Sequence, residues 1–284
     1  MQKMQNVRQV QECLASFRAK LGLADEQRCE VGLILGTGLG RLADVLSGHA
    51  VPFAELPHFP VSTALSHAGF FSCGNLAGVP VLVQSGRCHL FEGFSASEIC
   101  MGVRLMQGMG VHTLIVTNAA GALNPVFEAG RLMLATDQIN LTGVSPLTGP
   151  NCEDWGPRFP DMSQVFDRKL QALAQKAAIG LGLTLERGVY IGVHGPELET
   201  PAETRLYRSL GADAIGMSSV LEVICAKHLG LRVLELVCLT NKNLPDCMAP
   251  VSIDEVIASS ERSAADLARL ILALLPDLAA RAER

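Results

Sequence analysis

Short apolar runs that break abruptly into glycine or a polar residue recur along this chain, separated by stretches with helical spacing. The first run, residues 31–35 (VGLIL), passes straight into Gly36-Thr37-Gly38. Runs without polar interruption fit strands covered on both faces, because an exposed face would impose alternation. Similar runs predict strands at 79–84, 113–117, 131–140, 188–193, 212–216 and 231–239, with helical patterns such as 97–107, 165–180 and 221–228 between them. Strand and helix patterns in alternation specify an α/β chain, a central mixed, largely parallel sheet flanked by helices. The composition agrees: hydrophobic residues make up 49%, but with one Trp and two Tyr the apolar weight rests on aliphatic side chains.

Apolar residues at helical spacing (Val7, Val10, Cys13, Leu14, Phe17, Leu21) predict an N-terminal helix within 1–25 that ends near Gly22. Two helix starts carry capping-box patterns, Thr200-Pro201-Ala202-Glu203 and Ser252-Ile253-Asp254-Glu255, and the second opens a final helix over 252–275. With no internal repeat and no low-complexity linker, residues 1–284 read as one domain. The Pro- and Gly-rich stretch 142–160 is the one long loop, a length usually tied to function.

The formal net charge of −5 argues against a nucleic-acid surface, which needs a basic face. An anionic ligand must therefore be met by a few focused donors. The nine Cys show neither CxxC nor finger-like spacing, which points to free thiols in a reducing compartment and to no bound metal. The chain has no signal-like apolar segment at its start and no membrane-length run, so a cytoplasmic protein is expected.

In open α/β sheets ligands gather at the carboxyl ends of strands. Polar signals fall there repeatedly: Gly36-Thr37-Gly38, Gly86-Arg87, Asn118-Ala119, Glu199, Met217-Ser218 and Thr240-Asn241. Their convergence predicts one composite site. The turn at 36–38 fits either a tight strand-to-helix connection or a phosphate cradle, and Thr37 favours the cradle. The glycine spacing of 36–40 fails the dinucleotide fingerprint, with its third glycine one residue early. Arg87 and His89 would share a face if they lay in a strand, which favours an anion site over a surface pair. Glu199 serves equally as a helix N-terminal charge or as a ligand for a base edge. Asn241 serves equally as a turn residue or as a ligand that donates and accepts.

Taken together, these segments resemble the trimeric, 6-oxopurine-preferring purine nucleoside phosphorylases. The resemblance is carried by Ile34–Gly40, His67-Ala68-Gly69, Gly86-Arg87, His89, Glu92-Gly93, Val116–Gly121 with Leu123-Asn124-Pro125, Arg158-Phe159-Pro160, Gly195-Pro196, Glu199-Thr200, Gly216-Met217-Ser218, Glu222-Val223-Ile224 and Thr240-Asn241-Lys242. It implies phosphorolysis of the N-glycosidic bond of purine (deoxy)ribonucleosides such as inosine and guanosine, giving free base and (deoxy)ribose 1-phosphate. No cofactor or metal is implied, because inorganic phosphate is a substrate. The implied partners are nucleoside and phosphate, in a homotrimer.

Roles follow by position. Thr37, His67, Arg87, His89, the Ala119 backbone and Ser218 would hold phosphate, and His89, Glu199 and Asn241 form the catalytic set. Phe91 and Met217 would line the ribose, Glu199 would meet N1–H and the 2-amino edge, and Asn241 would meet O6 and N7. Asn118, Tyr190 and Leu198 complete the nucleoside pocket, and Phe159 would reach into a neighbouring subunit's site. Leu198 and Phe91 depart from the family's usual aromatic and Tyr, and Ile253 stands where a His would meet the 5′-hydroxyl. These departures admit alternatives: a phosphorylase favouring xanthosine or 5′-modified nucleosides, or a non-catalytic purine-binding relative.

Overall fold

In the computed structural model, residues 2–24, 27–36, 50–64 and 68–279 are described. Helix α1 (Gln2–Leu21) leads to strand β1 (Val31–Leu35), then to β2 (Ala50–Pro52), β3 (Phe70–Leu76) and β4 (Val79–Ser85). Helices α2 (Ala96–Ile99) and α3 (Met101–Gly108) precede the long strand β5 (Thr113–Ala122) and its successor β6 (Leu132–Asn140). Helix α4 (Arg168–Gly180), strand β7 (Leu185–Gly192), helix α5 (Pro201–Ser209), strand β8 (Ala214–Gly216), helix α6 (Val220–His228), strand β9 (Arg232–Lys242) and helix α7 (Ile253–Ala279) follow.

Among the described residues, all nine strands join one mixed sheet in the order β2-β3-β4-β1-β5-β8-β7-β6-β9, with β9 also paired to β5. The ladder β5–β9–β6–β7–β8 returns to β5 and so closes on itself, whereas β1, β4, β3 and β2 run out to an open edge. Strand β5 sits at the junction. Its first half lies between β1 and β9, and its far end exchanges β1 for β8.

Both faces are covered, which explains the continuous apolar runs. In β1, Ile34 joins the core shared with α1, α3 and α6, while Val31, Leu33 and Leu35 join the core under α4 and α7. Truncating Leu33, fully buried at 0% exposure, to Ala would cost about 2–5 kcal/mol.

The α/β class and mixed sheet are as expected, and several bounds differ for local reasons. Asp167 Oδ1 accepts from Lys169 and Leu170 N–H, so α4 begins at Arg168 rather than near 165. The helix expected over 97–107 divides at Cys100 into α2 and α3. Helix α1 stops at Leu21, in keeping with the expected end near Gly22, whereas α7 continues past 275 to Ala279. Strands β2 and β3 lack a clear apolar signal, because β2 has only three residues and β3 (FFSCGNL) carries small and polar residues at its centre. Both capping boxes form, with reciprocal bonds at Thr200/Glu203 and Ser252/Glu255.

Candidate active site

The register of β5 against β9 slips after Ala120: Ala120 faces Leu239, but Gly121 faces Asn241. Thr240 is thus an extra residue, a bulge that bends β9 and re-aims its end. In a regular strand Thr240 and Asn241 would face opposite sides. Here both line one cavity, together with Asn243 just past the strand. The cavity encloses about 590 Å³. His89 and Phe91 after β4, Ala119–Gly121 of β5, Leu198 and Glu199 before α5, and Met217 and Ser218 before α6 complete its polar half. Met248, Ala249, Pro250, Val251, Val256 and Ile257 form an apolar rim.

One side of the cavity is a chain of side-chain hydrogen bonds. Thr240 Oγ1 donates to Asn241 Oδ1 at 2.9 Å. Asn241 Nδ2 donates to Asn243 Oδ1 at 2.6 Å, and Asn243 Nδ2 donates to Glu199 Oε2 at 2.7 Å. Room for this chain depends on Gly121, where a Cβ would stand 2.7 Å from Asn243 Nδ2. Burial pushes the Glu199 carboxyl above its ordinary range, and the bond from Asn243 opposes the rise.

His89 is held from behind. Glu92 Oε1 meets its Nδ1 at 2.8 Å and accepts its backbone N–H at 2.8 Å, while Glu92 Oε2 accepts Thr63 N–H at 2.5 Å and Thr63 Oγ1 at 2.9 Å. Burial raises the Glu92 carboxyl, but the hydrogen bonds from His89 and Thr63 outweigh it and hold the group at about 2. Burial also lowers the His89 pKa, with the hydrogen bond to Glu92 opposing the effect and Arg87 adding to it. The Phe91 ring stacks on it at 4.6 Å.

Beneath the cavity floor lies a buried polar cluster. Arg87 donates to Thr117 O at 2.6 Å and stands 3.2 Å from Glu222, both side chains 1% exposed. Asn118 Nδ2 donates to Glu235 at 2.6 Å and to Ser219 Oγ at 2.8 Å, and Ser219 Oγ donates to Glu235. Burial raises Glu222, opposed by Arg87, and raises Glu235 to about 7.

Residues 30–276 match the model of the phosphorylase superfamily. The chain is 47% identical over 247 residues to purine nucleoside phosphorylase 1 of Bacillus subtilis, covering 87% of this chain and 91% of that protein. It is 42% identical over 261 residues to purine nucleoside phosphorylase of Bos taurus, covering 89% and 90%. The purine nucleoside phosphorylase of Saccharomyces cerevisiae is 37% identical over 270 residues, with 87% of each chain covered. The chain belongs to the purine nucleoside phosphorylase family.

Of the residues that the resemblance singled out, His89, Phe91, Ala119, Leu198, Glu199, Met217, Ser218 and Asn241 line the one cavity. Arg87 does not share a strand face with His89. Strand β4 ends at Ser85, Gly86 turns the chain at φ +90°, and the guanidinium points down to the strand ends while His89 faces the cavity. Asn118 and Tyr190 also point inward, Asn118 to Glu235 and the Tyr190 hydroxyl to the Ser218 N–H it accepts at 3.3 Å. Phe159, 87% exposed, borders a separate depression with Arg158 and Pro160. Thr37, His67 and the Ile253 side chain lie outside the described residues. Sequence reading passed over Glu92 as a support for His89 and did not consider Asn243. The clues were spacing: Glu92 stands three residues after His89, as in a capping box, and Asn243 two after Asn241. Among the described residues no cluster of His, Cys, Asp and Glu could hold a metal, and no helix is long and apolar enough to cross a membrane.

Proposed function

We propose that the protein is a purine nucleoside phosphorylase that cleaves inosine and guanosine, and their deoxy forms, with inorganic phosphate. The observation that carries this reading is one cavity lined by His89 and Ser218 and also by Glu199 and Asn241. Phosphate sits against His89, Ser218 and the Ala119 backbone, close to the start of α6, where the helix N-terminus favours an anion. Thr37, His67 and Arg87 are the further phosphate contacts that the resemblance implies.

The chemistry follows from charge. Breaking C1′–N9 leaves positive charge on the ribosyl group, and a phosphate oxygen stabilises it and then bonds to C1′. The bonding pair departs with the purine. Asn241 donates to N7, a bond that strengthens as the base becomes anionic, and Glu199 accepts from N1–H. A proton from water neutralises the departing base, and the products are free base and ribose 1-phosphate. No metal or organic cofactor takes part. The reading places the enzyme in the cytoplasm as a homotrimer, a state in which the exposed Phe159 would be covered by a neighbour. Among the described residues the rim at 248–257 presents Met248, Ala249, Pro250, Val251, Val256 and Ile257 to the cavity, which favours tolerance of 5′-deoxy or 5′-alkylthio nucleosides.

The test is release of hypoxanthine from inosine with and without phosphate. Phosphate-dependent formation of ribose 1-phosphate is expected. Hypoxanthine release without phosphate, or none with it, would overturn the assignment.

A further inference from the structure

The carboxylate of Glu199 accepts hydrogen bonds and, when ionised, cannot donate. This single fact sets the direction of every amide in the chain that ends on it. Asn243 must turn its Nδ2 toward Glu199, which leaves its Oδ1 for Asn241. Asn241 must then turn its own Nδ2 toward Asn243, which leaves its Oδ1 to accept from the Thr240 hydroxyl. One N–H of Asn241 and one oxygen of Glu199 remain for whatever fills the cavity. The edge so formed offers a donor beside an acceptor.

We infer that Asn243 is a positioning residue that sets the base specificity of the site, by fixing the hydrogen-bond direction of Asn241 from the charge on Glu199. This rests on the purine nucleoside reading above and goes beyond it. A 6-oxopurine presents acceptors at N7 and O6 and a donor at N1, and so complements the edge. A 6-aminopurine presents a donor at C6 and an acceptor at N1, which meets the carboxylate lone pairs. Asn243 therefore selects against adenine without touching it.

The geometry leaves little freedom for another arrangement. Asn243 is 7% exposed, its backbone N–H donates to Ala122 O at 2.8 Å, and Gly121 lies against its amide. Its bond to Glu199 also favours the ionised carboxylate against the desolvation that raises it.

The experiment compares kcat/KM for inosine and adenosine in the wild type, Asn243→Val, Glu199→Gln and the double variant Glu199→Gln/Asn243→Asp, with thermal melts to establish folding. Asn243→Val should lose about tenfold or more on inosine, as expected for a hydrogen bond to a charged group, and the inosine-to-adenosine ratio should narrow. Glu199→Gln can donate to Asn243 and reverse the chain, turning the Asn241 oxygen toward the base. Moving the charge to position 243 restores an acceptor for both neighbours, so the double variant should be more active on inosine than Glu199→Gln alone. An unchanged substrate ratio in Asn243→Val, or a double variant no more active on inosine than Glu199→Gln alone, would overturn the inference. If the wild type cleaves no nucleoside, the functional reading fails separately. Calorimetric titration with hypoxanthine and adenine then tests the chain alone: preference for hypoxanthine, lost in Asn243→Val, supports it, and equal binding in both proteins overturns it.

Discussion

Replacing Glu92 with Gln keeps the shape of the side chain and removes its charge. In the folded protein this carboxyl is held at about 2, against an ordinary value of 4.5, and its side chain is 2% exposed. At 1.36 kcal/mol per pKa unit the difference corresponds to about 3 kcal/mol of stability at pH 7. Counting bonds leads to a similar figure. Each oxygen accepts one backbone N–H, from His89 or Thr63, so the amide nitrogen of Gln must face one of them and leave a donor unpaired. The Thr63 N–H is exposed and can turn to water, so the cost is that of the lost charge-assisted bonding, about 1.5–3 kcal/mol. The folded-state pKa is depressed, so this stability is complete above pH 4.5 and disappears as pH falls toward 2. Urea melts of wild type and Glu92→Gln should differ by about 2–3 kcal/mol at pH 7, with the gap closing below pH 4.5. The KM for phosphate should rise as the His89 ring loses its support. A deficit below about 0.5 kcal/mol, or one that stays constant with pH, would refute the reasoning.

Gly121→Ala places a methyl 2.7 Å from Asn243 Nδ2 and should lower kcat/KM for inosine about tenfold by stretching the bond to Glu199, as steady-state kinetics would report. Glu222→Gln removes the buried carboxylate 3.2 Å from Arg87 and should destabilise the fold by about 3–5 kcal/mol, whereas Arg87→Met/Glu222→Leu should lose less stability but raise the KM for phosphate. Because burial raises Glu199, the acidic limb of kcat/KM for inosine should lie above pH 4.5, with activity falling as the carboxylate protonates, and Glu199→Gln should remove that limb. Wild-type kcat/KM for 5′-deoxyinosine should come within about tenfold of that for inosine, given the apolar rim.

The sheet was legible because burial on two faces leaves its mark in composition, and β1, with Ile34 to one core and Leu33 to the other, needs no polar position. The edge strand β2 and its neighbour β3 were not, since β2 is only three residues long and β3 has small and polar residues at its centre. The site was legible as a set of residue types at strand ends. His89, Glu199 and Asn241 meet because those strand ends open onto one cavity. Arg87 shows the limit of such reading. Its place next to His89 in the chain suggested a shared face, but the left-handed turn at Gly86 separates their directions.

By itself, then, the sequence determined the α/β class, the helix caps and the residue types of the pocket, all properties carried by local pattern. Tertiary structure alone decided that Thr240 would bulge and that Asn243 would bridge Asn241 to Glu199. The physical reason is that hydrogen-bond direction depends on partners 40 or more residues distant, such as Glu199 and Asn243, which are 44 positions apart. No local pattern encodes such a partner. It is fixed only when the sheet closes and water is excluded.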